Sequence, residues 1–352
     1  MRFRLRIPRS TLARHALLGL GAVVLLMLVT GAMSAYADFN VAGIGYFAIA
    51  AAGLNLLTGV NGQLSLGHGA LMAIGAYTTA VLLTHVTLPA GVVVLISVAT
   101  TAVAGVIIGV AAARLRGPYL AGVTLALAVA LPQVAVRYAS LFGGDQGLAV
   151  PPLVHPAFLG SSFPDERWQA WIVLILAGVT FVLLANLLRG GFGRSLRAVR
   201  DDEVAAALSG INVRRTQVIA FVVSAGCAGL AGSLFAYVSG IASPSSFPLG
   251  LSLQLLTAIV VGGLGTLWGA VWGAALLVYL PIWISDLTSG MNLSSEISNN
   301  LPLAVYGAVL VAAMLAFPRG IQGAFRWIGA AVQRRLRAKR HRGEVVAESD
   351  VS

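Results

Sequence analysis

The sequence predicts an all-α polytopic membrane protein with about 8–10 transmembrane helices, some of them short and discontinuous. Three observations carry that expectation. Of 352 residues, 58% are hydrophobic and only 10% are charged, whereas a soluble domain carries roughly 25% charged residues. The mean hydropathy is +0.89. The apolar residues also fall into runs of about 20, the length that crosses a hydrocarbon core of roughly 30 Å. A net charge of +11 invites a nucleic-acid reading. That reading fails because the basic residues sit at the ends of apolar runs and in the tails, where membrane topology accounts for them. The expected medium is a lipid bilayer, with no nucleic-acid partner.

Residues 1–14 form a basic tail with Arg2, Arg4, Arg6, Arg9 and Arg14, and an apolar run over 15–35 follows. Ala35-Tyr36-Ala37 ahead of Asp38 resembles a signal-peptidase site, but the run is long for a signal peptide. It reads as an uncleaved first span, and on either reading Asp38 lies outside. Runs at 40–58, 64–84 and 89–113 come next, the first two separated by the polar, glycine-broken turn Thr58-Gly59-Val60-Asn61-Gly62-Gln63. Arg114 and Arg116 mark an inner end, and a fifth span covers 118–138. The segment 139–167 holds Asp145, Asp165, Glu166 and several prolines and reads as an outer loop. A sixth span at 168–188 leads to a charged island, 190–216, after which 217–239 is a seventh. Ser243-Pro244-Ser245-Ser246-Phe247-Pro248 is a break. The run 251–285 is cut by Gly262-Gly263-Leu264-Gly265, 286–300 is polar, 301–317 is a last span, and 318–352 is a basic tail expected to be partly disordered.

Charge fixes the topology. All 23 basic residues except Arg137 and Arg167 lie in the N-terminal tail, at 114–116, around the island or in the C-terminal tail. All four segments should therefore be cytoplasmic. The island and the C-terminal tail can share a side only if 251–285 crosses as two pieces, a short half near 251–262 and a fuller span near 266–285. Such half-length helices are tolerated only where protein or a cavity surrounds them, so Gly262, Gly263 and Gly265 become candidates for lining a path.

Several function classes are excluded. No G-x-x-x-x-G-K-[ST] loop is present, and the nearest glycine-rich stretch, Gly190 to Ser195, has Arg194 where that loop needs Lys. The five histidines are scattered, and Cys227 is the one cysteine, so neither a metal site nor a disulfide framework is expected. No Asp, Glu or Lys falls in the middle of a span, which argues against a proton- or sodium-driven carrier. No nucleophile–base or metal set supports an integral-membrane enzyme. Energy for any transport must then come from elsewhere.

Three motifs remain. In the island, Asp201 or Asp202 can cap a helix, Glu203 suits its first turn, Val204, Ala207 and Leu208 form an apolar side, and Gly210 can stop it. The island reads either as a helix docked against something at the membrane surface or as a solvated loop. Gly265, Gly269 and Gly273, spaced by four, would share one helix face for close packing, within this chain or against another subunit. Asn55, Gln63, Ser65 and His68 place polar groups at an apolar boundary. They are either an internal hydrogen-bond cluster or part of a substrate path.

The sequence resembles the permease subunits of bacterial ABC importers for branched-chain amino acids, of the LivM type. The stretches that carry this are Gly53 through Ala70 with Ile74 to Tyr77, Gly193 through Glu203 with Gly210 to Val213, and Ser243 to Phe247 with Gly262 to Gly269. The resemblance implies a bacterial cytoplasmic (inner) membrane protein with both termini inside. It implies that the island docks on ATPase subunits, with Arg194, Arg197, Arg200, Asp201, Asp202, Glu203, Val204, Ala207, Leu208, Gly210 and Arg214 in the coupling segment. It also implies two ATPases that hydrolyse ATP, a second LivH-type permease and an extracytoplasmic binding protein that could dock near Gly143 to Gly147. The chain itself would bind no cofactor. A permease for urea, a short amide or a sugar, and an ATP-independent channel or carrier, stay open as alternatives.

Overall fold

The computed structural model describes residues 11–31, 33–114, 118–160 and 163–289, with positions 305, 307, 308, 311, 312, 315 and 320–324. The expectations for 1–10, for 290–300 and for the tail beyond 324 lie outside these residues. The helices are α1 (Thr11–Thr30), α2 (Ala35–Leu54), α3 (His68–His85), α4 (Ala90–Ala112), α5 (Pro118–Arg137) and α6 (Ala139–Phe142). They continue with α7 (Asp165–Arg189), α8 (Gly191–Asp201), α9 (Glu203–Leu208), α10 (Val213–Ser239), α11 (Leu249–Gly263) and α12 (Leu267–Ser289). Among the described residues, seven are long and apolar enough to cross a membrane. The architecture is the all-α, polytopic one that the composition predicts.

The run 251–285 is indeed two helices. α11 ends at Gly263 and α12 starts at Leu267. Other boundaries shift. The second span already begins at Ala35, where the Ser34 hydroxyl caps the Ala37 N–H, so Ala35-Tyr36-Ala37 forms its first helical turn. The apolar run 64–84 is not helical from its start: α3 begins only at His68, and Gly62 to Gly67 is irregular backbone.

Helix α10 is the centre, packed on α2, α3 and α4, while α2 also carries α7, α11 and α12. Water is absent from a bilayer core, so the helices associate through close packing, which small residues permit. The α10 seam is built accordingly. A methyl group at Gly232 would fall on the Met72 carbonyl, one at Gly75 on the Gly229 carbonyl, and one at Gly53 2.6 Å from the Cys227 Cβ. α1 packs on α7 in the same way: a Cβ at Gly19 would lie 2.6 Å from Val182 Cγ2.

At the end of the bundle away from the charged island, Arg167 at the start of α7 donates from Nε to Asp38 Oδ2 at 3.0 Å and from Nη2 to the Met33 carbonyl at 2.7 Å. The Asp38 side chain is fully buried, so the pair replaces hydration that a buried carboxylate cannot do without. The segment after α6 is held against the bundle by a two-residue antiparallel ladder, β1 (Leu148–Ala149) on β2 (Ile241–Ala242). Gly147 has φ +72°, and any side chain there would strike the Ala242 carbonyl.

Candidate functional site

The charged island folds as two helices, not one. α8 forms because Gly193, Leu196 and Val199 recur at helical spacing and bury one stripe, while Arg194 and Arg197 stay exposed. Sequence reading missed this helix because its arginines mask a three-residue apolar stripe. Asp202 then breaks the helix with extended backbone (φ −160°) and caps α9, accepting from the Val204 N–H at 2.8 Å and the Ala205 N–H at 3.0 Å. α9 closes with paired bonds from the Gly210 N–H to the Ala207 carbonyl and from the Ile211 N–H to the Ala206 carbonyl, with Gly210 at φ +84°. The start of α9 and the body of α8 are each tied to a neighbouring helix. Gln217 Nε2 on α10 donates to Glu203 Oε1 at 2.7 Å, and Arg197 Nη2 donates to the Leu188 carbonyl at 3.2 Å. Asp201 and Arg214 are exposed.

This capped helix turns Ala206 inward and presents Val204, Ala207 and Leu208 outward. Val204 is 69% exposed and Leu208 86% exposed. They stand four residues apart and so share one face. Two large aliphatic side chains held outward on a pinned helix amid arginines make a ready contact surface for another protein.

A second cluster sits at the end of α2 nearest α8. There the helix widens into a π-helical turn, Asn55–Val60, with the Asn61 N–H bonded to the Leu56 carbonyl five residues back. Such widenings often mark functional positions. Asn55 is buried and fully engaged with the break between α11 and α12. Its Nδ2 donates to the Thr266 carbonyl at 2.7 Å and the Gly263 carbonyl at 3.3 Å, and its Oδ1 accepts from the Gly265 N–H at 2.7 Å. Asn55 thereby supplies the bonds that the interrupted helix gives up. Gly59 touches this break so closely that a methyl there would overlap Asn55 Oδ1 and the Gly265 nitrogen. Arg200, from α8, donates Nη1 to the Gly59 carbonyl at 2.6 Å.

Gly265 requires a correction. The helix starts at Leu267, so Gly265 does not share a helix face with Gly269 and Gly273. It lies in the break at φ +74°, a conformation suited to glycine. The packing face consists of Gly262, Gly269 and Gly273. A Cβ at Gly262 would strike the Gly269 carbonyl, and one at Gly273 the Ala258 carbonyl. This close approach is between α11 and α12 of one chain.

From Gly62 the chain climbs back into the bundle without helical bonds. Gly62 lies against Arg200 of α8, whereas the Gly69 N–H donates to Ser252 Oγ at 3.0 Å and the Leu66 N–H to Thr124 Oγ1 at 3.0 Å. Ser252 stands eleven residues before the C-terminal end of α11, a height of about 16 Å at the α-helical rise. His68 therefore opens α3 well inside the bundle. Along this ascent Asn61, Gln63 and Ser65 turn inward, while Gly62 and Leu64 are exposed. Gln63 Oε1 accepts from Asn61 Nδ2 at 2.8 Å. Ser65 Oγ and both ring nitrogens of His68 are buried without a hydrogen-bond partner. Thus Asn55, Gly263 and Gly265 meet at the end of the bundle that carries the charged island, and Gln63, Ser65 and His68 lie along the ascent. Ser252 and Thr124, which hold that ascent in place, carry no local sequence signal.

Residues 36–314 match the family described as branched-chain amino acid transport system, permease component. The chain belongs to this permease family. The permease is 30% identical over 292 residues to the high-affinity branched-chain amino acid transport system permease protein LivM of Escherichia coli K12, covering 76% of this chain and 66% of LivM. It thus spans just under two thirds of that relative's length. It is 27% identical over 294 residues to LivH of the same strain, covering 79% of this chain and 91% of LivH. It is 36% identical over 157 residues to the autoinducer 2 import system permease protein LsrC of Klebsiella pneumoniae, covering 40% of this chain and 42% of LsrC. No solved structure matches. The permease has the all-α multi-span fold of the ABC-importer permease type.

Proposed function

We propose that the permease imports branched-chain amino acids by alternating access, driven by ATP that separate subunits hydrolyse. The observation that carries this reading is the outward apolar face of α9, Val204, Ala207 and Leu208, on a helix capped by Asp202 and tied at its start to α10. It is the surface on which an ATPase would push. In this reading the chain lies in a bacterial inner membrane with 1–14, 190–216 and 318–352 in the cytoplasm. It pairs with a LivH-type permease and two ATPases, and a binding protein delivers the solute near Gly143 to Gly147. The path runs past the ascent 61–67. There Gln63, Ser65 and His68 can meet the charged ends of an amino acid, and Leu64 can meet its aliphatic side chain. Non-helical backbone at this depth needs protein or a water-filled cavity beside it, which supports placing the path here.

The likeness to LsrC over 157 residues favours a second reading of the cargo, a different small solute on the same scaffold. Reconstitution of the permease with its partner subunits in proteoliposomes separates the two. ATP-dependent uptake of leucine, isoleucine or valine is expected. Uptake of none of them, with uptake of another small solute, overturns the cargo assignment. Uptake of leucine that continues without any ATPase overturns the energy source.

A further inference from the structure

We infer that Arg200 is the positioning residue that carries motion of the coupling hairpin into the membrane helices. It stands on the importer reading above. Arg194 and Arg197 share its helix, but Arg200 is the one bonded across to α2, 141 positions away in sequence. Its guanidinium grips the carbonyl of Gly59, in the last turn of a helix, where carbonyls lack intrahelical donors. The stem of Arg200 also packs on Gly62, whose Cβ position is 2.9 Å from Arg200 Cγ. One side chain thus touches both the π-helical end of α2 and the foot of the ascent to His68.

The contact continues inward. Gly59 abuts Gly265, and Asn55, on the same π-helical turn, holds both sides of the break between α11 and α12. Below Arg200, α8 joins α9 through the single cap residue Asp202. A displacement of α9 therefore reaches α2, the ascent and the α11–α12 break through Arg200 and a short run of hydrogen bonds. The break and the π turn are the elements of this bundle able to rearrange without unwinding a regular helix, since their backbone bonds are already irregular.

The test uses the intact importer in proteoliposomes, with Arg200→Ala, Arg200→Lys and Arg200→Gln. Expected are ATPase subunits at wild-type stoichiometry and a fall of about tenfold in solute moved per ATP hydrolysed in Arg200→Ala. That factor is about what one charge-assisted hydrogen bond corresponds to. Arg200→Lys, which keeps a cationic donor, recovers part of the loss; Arg200→Gln carries the test if the alanine variant does not assemble. An unchanged transport-to-hydrolysis ratio overturns the inference. So does loss of the ATPases themselves, which would make Arg200 a docking contact. A wild-type complex that holds no ATPase overturns the importer reading and this inference with it.

Discussion

Replacing Asn55 by alanine removes three hydrogen bonds from one buried amide and leaves the break between α11 and α12 to fend for itself. The Gly263 carbonyl keeps a donor, Thr266 Oγ1 at 2.9 Å. The Gly265 N–H and the Thr266 carbonyl lose their Asn55 partner. Hydrogen bonds between membrane helices average about 0.6 kcal/mol each, and an orphaned buried polar group costs about 1–3 kcal/mol. Three lost bonds with one poorly rescued group give a loss of about 2–4 kcal/mol. Asn55→Asp, when ionised, keeps the acceptor for Gly265 but sets a carboxylate oxygen against two carbonyls, so it should not rescue the site. Unfolding of the purified protein in mixed micelles by titrated denaturing detergent measures the loss. Hydrogen exchange at the Gly265 amide localises it, with acceleration of at least about 30-fold expected at 2 kcal/mol. An alanine variant within about 0.5 kcal/mol of wild type, with an unchanged Gly265 amide, would refute the assignment of Asn55 as the clamp.

Two further outcomes follow from contacts already described. Arg167→Met leaves the buried Asp38 carboxylate without its partner and should cost about 3–5 kcal/mol in the same unfolding assay. The double variant with Asp38→Asn should regain part of that, and a purely additive pair would show that the two do not interact. Cysteines at positions 62 and 200 place their Cβ atoms about 3.4 Å apart, close to the spacing a disulfide spans. Mild oxidation should join them in membranes, while the buried Cys227 stays free. Failure to cross-link under catalysed oxidation would contradict the seating of α8 on the foot of the ascent.

Much of this fold was legible because a bilayer makes composition decisive. Runs of apolar residues named the spans, and the parity of the arginine clusters required 251–285 to be broken near Gly262, where α11 ends. The cap at Asp202 and the stop at Gly210 were readable too, since both depend on neighbours within a few residues. What escaped was set by distant partners. Nothing near Asn55 says that its amide will be spent on Gly263, Gly265 and Thr266, about 210 positions later. The spacing of Gly265, Gly269 and Gly273 suggested a common face, but the helix boundary lies between the first and second of them. The apolar sequence after Gly62 looked helical, yet the chain there is drawn out between Arg200 at one end and Ser252 at the other.

The most direct test of the account is whether α9 is the seat of an ATPase. Val204→Asp with Leu208→Asp adds charge only to exposed positions, so the bundle should fold and purify as wild type while the ATPase subunits no longer co-purify and ATP-driven uptake stops. Retention of the ATPases at full stoichiometry by that double variant would contradict the central claim.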